Sequence, residues 1–68
     1  MSEPHWIAKE IIRLRAERGW SQLTLASLAD TTPATLGNFE TGKGNMHLVR
    51  VDRVLEALGY EIDIHAKF

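Results

Sequence analysis

The residues best suited to chemistry lie in the stretch GWSQLTLASLADTTPATLGNFETGKGN, residues 19–45. Ser21 and Gln22 open a predicted helix there, where free backbone N–H groups and the positive end of the helix dipole attract anions. Ser21 is also a good N-cap residue, which is the simpler role for its hydroxyl. Gln22 can hydrogen-bond to a phosphate or to a neighbouring side chain. The pair therefore predicts a phosphate contact or, as the alternative, a helix cap alone.

A second predicted helix in this stretch has an outward face of small and polar residues. Thr32 caps it and Pro33, which can offer only apolar contact, takes its first position. Asn38 can pair with adenine through two hydrogen bonds or bind a phosphate, while Thr32 and Ala34 can touch a thymine methyl group. No Arg, Lys or Gln lies on this face, so we expect modest direct readout of bases and a contribution from DNA shape. The alternative is a surface helix that never meets DNA. Gly37 weakens the helix by roughly 1 kcal/mol relative to alanine. A small residue there makes sense if a DNA backbone or sugar must approach closely.

Four helical patterns must position these residues. The first runs from about Pro4 to Arg18, the second from its cap at Ser21 to the turn at Asp30, the third from Thr32 to Glu40, and the fourth from Asn45 or Met46 to the stop at Gly59. Trp20 and Leu25 stand at the positions of a hydrophobic staple. The spacing predicts these inward positions: Ile7, Ile11, Leu14, Leu25, Ala26, Leu28, Ala29, Leu36, Phe39, Leu48, Val51, Val54, Leu55 and Leu58.

The tail changes period. Apolar and polar residues alternate strictly over residues 60–68, which predicts a half-buried strand. Since no other stretch has a strand pattern, we expect the same strand of a second copy to pair with it across a two-fold axis. A tail without a pairing partner is the alternative. The predicted dimer interface consists of Tyr60, Ile62, Ile64, Ala66 and Phe68.

Two short capped helices around a tight turn form a helix-turn-helix arrangement. The sequence resembles the XRE/Cro-repressor class through Ser21-Gln22, Leu25-Ala26, Leu28-Ala29, Thr35-Leu36, Phe39-Glu40, Gly42-Lys43 and Leu58-Gly59. Ala34-Thr35, Asn38-Phe39-Glu40 and a strand after the last helix look most like HipB-type antitoxins. The resemblance implies phosphate contacts for Lys43 and Asn45, which could instead be plain solvated loop residues. It also implies a structural ion pair between Arg15 and Glu40.

Composition bounds the other functions. The 68 residues are 44% hydrophobic and 25% charged, which fits one small globular domain, and the absence of cysteine excludes disulfides and thiolate metal ligands. His5, His47 and His65 lack the spacing of metal ligands, and no nucleophile–base or phosphate-loop motif is present, so we expect no enzyme, metal or cofactor. The chain has no apolar run of membrane-spanning length and no signal-peptide pattern. It predicts a soluble, intracellular protein, and the resemblance implies the bacterial cytoplasm and association with the nucleoid.

Charge supports DNA binding only moderately. Residues 1–53 carry seven Lys or Arg and six Asp or Glu, whereas residues 54–68 carry one and three. Acidity therefore collects in the tail and the end of the fourth helix, away from the proposed DNA face. We expect weak non-specific affinity and a shallow dependence on salt.

These observations predict a mainly α protein, with a lambda-repressor-like four-helix helix-turn-helix domain in residues 1–59 and a C-terminal β-strand, residues 60–68, that pairs across a dimer. The resemblance implies a dimeric, sequence-specific transcriptional repressor that binds a palindromic operator in double-stranded DNA. It further implies the antitoxin of a type II toxin–antitoxin system, which autoregulates its operon and neutralises a HipA-like kinase toxin. The alternatives are a stand-alone phage-type or restriction–modification controller regulator, or a protein-interaction module on the same fold.

Overall fold

A computed structural model describes residues 5–61. It contains four helices in that range: α1 Trp6–Glu17, α2 Gln22–Leu28, α3 Pro33–Glu40 and α4 Leu48–Ala57. Helix α3 packs against α1 and α2, and α2 also packs against α4. The described residues form no strand; Tyr60 and Glu61 have no regular structure, and the rest of the predicted strand, residues 62–68, lies outside the described residues, as does Pro4.

The core is built from one apolar stripe of each helix. Ile11, Leu25, Leu36, Val54 and Leu58 are the largest fully buried side chains, so every helix, with the end cap of α4, contributes to one cluster. Arg18 ties the ends of two helices together, because its guanidinium donates to the carbonyls of Leu14 and Leu58. The same guanidinium lies 5.7 Å from the ring of Trp20, within the range of a cation–π contact.

Three predicted helix starts can be compared with the structure. Ser21 and Thr32 are the N-caps of α2 and α3, and Pro33 takes the first position of α3, as predicted. Helix α4 begins at Leu48, so the prediction of Asn45 or Met46 is wrong. Met46 is half-buried against the core in a segment without regular structure, and this anchoring keeps it out of the helix.

Leu28 and Leu48, both predicted to face inward, are exposed instead, by 58% and 68%. The inward stripe of α2 consists of buried Leu25, Ala26 and Ala29 with half-buried Gln22. At 3.6 residues per turn, Leu28 projects roughly 110° from the centre of that stripe. Leu48 is the first residue of α4. Because the helix starts later than predicted, Leu48 does not face the core.

All four helices end in the same hydrogen-bonded motif. In each, the second residue after the C-cap donates its N–H to a carbonyl five residues earlier, as Thr31 does to Ala26 at 2.9 Å and Tyr60 to Leu55 at 2.8 Å. The residue between takes a positive φ, which glycine adopts most easily. It is glycine after α1, α3 and α4, but Asp30, with φ of 56°, after α2. The turn between α2 and α3 is therefore the one helix end in residues 5–61 that places a side chain in this conformation.

Candidate nucleic-acid interface

The exposed face of α3 is made of short side chains. Pro33, Ala34 and Asn38 are exposed and Gly37 is half-buried, so the surface is flat along one side of the helix. The hydroxyl of Thr32 accepts from the Thr35 N–H at 3.1 Å and donates to the Thr35 hydroxyl at 2.9 Å. The cap uses the proton of that hydroxyl and one of its two lone pairs, and the methyl group is available for apolar contact with a ligand.

A buried ion pair fixes α3 to the rest of the domain. Glu40, the last residue of α3, is 2% exposed. Arg15 of α1 donates to it twice, from Nε to Oε2 and from Nη2 to Oε1, each at 3.0 Å. The third nitrogen of Arg15, Nη1, donates to the carbonyl of Trp20 at 3.0 Å. This is the pair that the resemblance implied, and it holds α1, the start of α2 and the end of α3 in one geometry.

Gln22 joins this network from the start of α2. Its Nε2 donates to Glu40 Oε1 at 2.8 Å, which is the neighbouring side-chain role that the sequence allowed. The amide also lies against α3: a Cβ at position 37 would come within 3.2 Å of Gln22 Oε1 and 3.3 Å of Nε2. The absence of a side chain at Gly37 therefore has a reason inside the domain. The phosphate contact of Gln22 stays a prediction.

Ser21 also spends its hydroxyl within the domain. Its oxygen accepts from the Thr24 N–H at 3.1 Å and is hydrogen-bonded to the Thr24 hydroxyl at 3.0 Å. Its side chain remains exposed. The capping role is thus observed, and a phosphate contact would have to share the same oxygen.

The loop after α3 is held by the end of that helix. The carbonyl of Asn38 accepts from the N–H of Lys43 at 2.8 Å and from that of Gly44 at 3.2 Å. Lys43 and Asn45 are exposed, and Lys43 has no ion-pair partner among residues 5–61. An unpaired lysine is thereby carried next to the exposed face of α3, a position that can serve a phosphate.

Comparison with protein families decides the family. The model of a family described as helix-turn-helix matches residues 11–65. The chain belongs to this helix-turn-helix family, of XRE type. It is accordingly a DNA-binding regulator of that type, and the matched family is one of DNA-binding domains rather than enzymes. Neither the comparison with curated proteins nor that with solved structures gave a match.

Two arginines of α4 hold the turn of the helix-turn-helix, a role that the sequence analysis missed. Arg50 Nη1 donates to the carbonyl of Asp30 at 2.6 Å, and Arg53 Nη1 lies 3.3 Å from Asp30 Oδ2. The signal in the sequence is two arginines three residues apart, on one side of a helix. Their contact with the turn depends on packing between α2 and α4, which local spacing cannot show.

Arg13, by contrast, is neutralised within α1. It lies 2.7 Å from Glu10 and 2.8 Å from Glu17, and the hydrogen bond and charge of Glu10 raise the pKa of its guanidinium above the ordinary value.

Within residues 5–61, no group of three or more His, Asp or Glu could hold a metal ion. None of the helices of that range is long and apolar enough to span a membrane.

Proposed function

We propose that the protein is a dimeric transcriptional repressor that places α3 in the DNA major groove of a palindromic operator. The observation that carries this proposal is the flat, exposed face of α3, whose helix is held by a buried ion pair. The short, exposed side chains of Pro33 and Ala34 allow the helix backbone to approach the bases closely. Asn38 is the residue of this face that can recognise a base through two hydrogen bonds, and adenine is its expected partner.

Contacts with the DNA backbone would come from both sides of this face. The Lys43 ammonium and the Asn45 amide supply them from the loop after α3, and Ser21 and Gln22 from the start of α2. Thr32 and Ala34 add apolar contacts to thymine methyl groups. Few strong base-reading groups are present, so phosphate contacts supply most of the affinity and DNA deformability supplies most of the selectivity.

The dimer would form through residues 60–68. Strands from two copies would pair through Tyr60, Ile62, Ile64, Ala66 and Phe68, and would hold the two α3 helices about 34 Å apart, the spacing of successive major grooves. The strict alternation of the tail supports this proposal. Sedimentation of a chain ending at residue 59 tests it: a dimer of unchanged stability excludes the paired tails.

The DNA contact can be tested with two lysine variants of equal charge. Lys43→Ala removes the loop cation, and Lys9→Ala removes an exposed cation of α1. Fluorescence anisotropy with the DNA upstream of the gene, in a salt series, should show weaker binding and a salt slope smaller by about one for Lys43→Ala. Lys9→Ala should bind like the original chain. Equal salt slopes for both variants would remove Lys43 from the interface.

We further propose that this repressor is the antitoxin of a type II toxin–antitoxin pair, and that it restrains a HipA-like kinase toxin at its outer flanks. Residues Ala34-Thr35 and Asn38-Phe39-Glu40, with the alternating tail, support this role by their likeness to HipB-type antitoxins. Purification from the native operon, followed by mass identification, tests it. Operator binding with no kinase bound leaves a stand-alone regulator. Failure to bind the operator even at low salt leaves a protein-interaction module.

A further inference from the structure

An apolar groove of about 410 Å³ lies between α1 and the end of α4. Its apolar walls are formed by Trp6, Ile7, Leu14, Leu55 and Tyr60, and the charged Glu10 and Arg13 also line it. Two large aromatic side chains there face solvent, since Trp6 is 68% and Tyr60 50% exposed. Apolar surface gains free energy when it leaves water, so a groove of this kind favours an apolar occupant.

The described chain ends inside this groove. The N–H of Tyr60 donates to the carbonyl of Leu55 at 2.8 Å, which holds Tyr60 in the groove wall, and Glu61 also lines the groove. Seven further residues follow from that point. Extended at about 3.3 Å per residue, they would reach roughly 23 Å. The distance along α1 from Leu14 to Trp6 is only about 12 Å at 1.5 Å per residue.

We propose that residues 62–68 of the same chain occupy this groove. In an extended segment, side chains two residues apart share a side, so Ile62 and Ile64 fall on the side of Tyr60, which already lines the groove. Asp63 and His65 fall on the opposite side. The tail of the same chain starts at the groove, so it has a far higher local concentration there than a second molecule.

This inference deepens the proposed dimer, because a docked tail would present its backbone edge to a second copy. It does not require that copy. Docking of the tail and dimerisation can therefore be measured separately, the first by the environment of Trp6 and the second by sedimentation.

The first experiment uses the full chain labelled with 5-fluorotryptophan, in which ¹⁹F NMR gives one signal each for Trp6 and Trp20. Ile62→Ser/Ile64→Ser changes the side of the tail that would enter the groove, and Asp63→Ser/His65→Ser is the matched control. We expect the solvent-isotope shift of Trp6 to at least double in the first variant and to stay unchanged in the control, with Trp20 unaffected in both. A Trp6 signal that is equally exposed in all three proteins overturns the proposal.

Dilution then identifies the occupant. If the tail of the same chain fills the groove, Trp6 stays protected at concentrations where sedimentation shows only monomer. Protection that disappears together with the dimer assigns the groove to a second copy and overturns the proposal. Protection in a protein that is monomeric at every concentration supports it, while excluding the paired-tail dimer.

Discussion

Neutralising the buried carboxylate of Glu40 should remove a large part of the domain's free energy of unfolding. The variant Glu40→Gln keeps the side-chain volume but leaves Arg15 without a counter-charge. Breaking one partner of a buried pair costs about 3–5 kcal/mol. The Arg15 side chain keeps 19% exposure and its bond to the Trp20 carbonyl, so we expect the lower end, about 3 kcal/mol. A chain of 68 residues has a total stability of about 3–10 kcal/mol.

Urea denaturation and thermal melting measure this loss. For a domain of this size, about 3 kcal/mol corresponds to a fall in Tm of roughly 12–24 °C. The matched control is Glu17→Gln, which makes the same chemical change in an exposed pair, with Arg13 and Glu17 side chains 58% and 52% exposed. Exposed pairs contribute little to stability because solvent screens them, so this variant should melt close to the original chain. Equal losses for the two variants would refute the assignment of a buried, structural ion pair.

Three further perturbations test the interface and its turn. In a Gln22→Ala background, which removes the amide that contacts position 37, Gly37→Ala should raise the free energy of unfolding by about 1 kcal/mol through helix propensity. In the original chain, the urea midpoint for Gly37→Ala should show a smaller gain or a loss. Equal gains in both backgrounds would contradict the contact between Gln22 and position 37. Asp30→Gly should stabilise the domain by up to about 1 kcal/mol, because glycine adopts the positive φ freely and the exposed pair with Arg53 contributes little. Asp30→Ala should destabilise the domain. The reverse order in urea denaturation would show that the contacts of the aspartate outweigh backbone strain. Thr32→Ala should cost about 1 kcal/mol through loss of the cap of α3, and Thr32→Ser only a few tenths; equal effects would leave the capping hydroxyl without a role.

Local signals in the sequence were sufficient for the frame of the helix-turn-helix. Ser21 and Thr32 are small hydroxyl residues placed before apolar periodic segments, and Pro33 fits a first helical turn, so the starts of α2 and α3 follow from neighbouring residues alone. The stop at Gly59 depends equally on one residue type, and its φ is 89°. Such features need no knowledge of the rest of the fold.

Features that depend on packing between elements could not be predicted from spacing. Leu28 has the residue type of a core position. The small residues Ala26 and Ala29 occupy the buried side of α2, so Leu28 faces solvent. The start of α4 is delayed because Met46 anchors the preceding loop to the core. The clasp of Arg50 and Arg53 on Asp30 joins residues at least 20 positions apart.

The candidate site shows the same division. The residue types of the α3 face were visible in the sequence, since Ala34 and Asn38 follow helical spacing and are exposed as expected. The destination of the Gln22 amide was open, because a flexible side chain at a helix start can turn to solvent or to the domain. Its choice is set by Glu40, which comes within 2.8 Å only after α3 has packed.

The contact of the Gln22 amide with Gly37 links two positions that are far apart in the chain. A long side chain at 22 and a bare backbone at 37 form one compatible pair, and a bulkier residue at 37 requires a shorter or redirected residue at 22. Homologous regulators should consequently exchange these positions together rather than singly during divergence. Transplanting a foreign α3 with a larger residue at 37 onto this scaffold should then cost less stability when position 22 is exchanged with it.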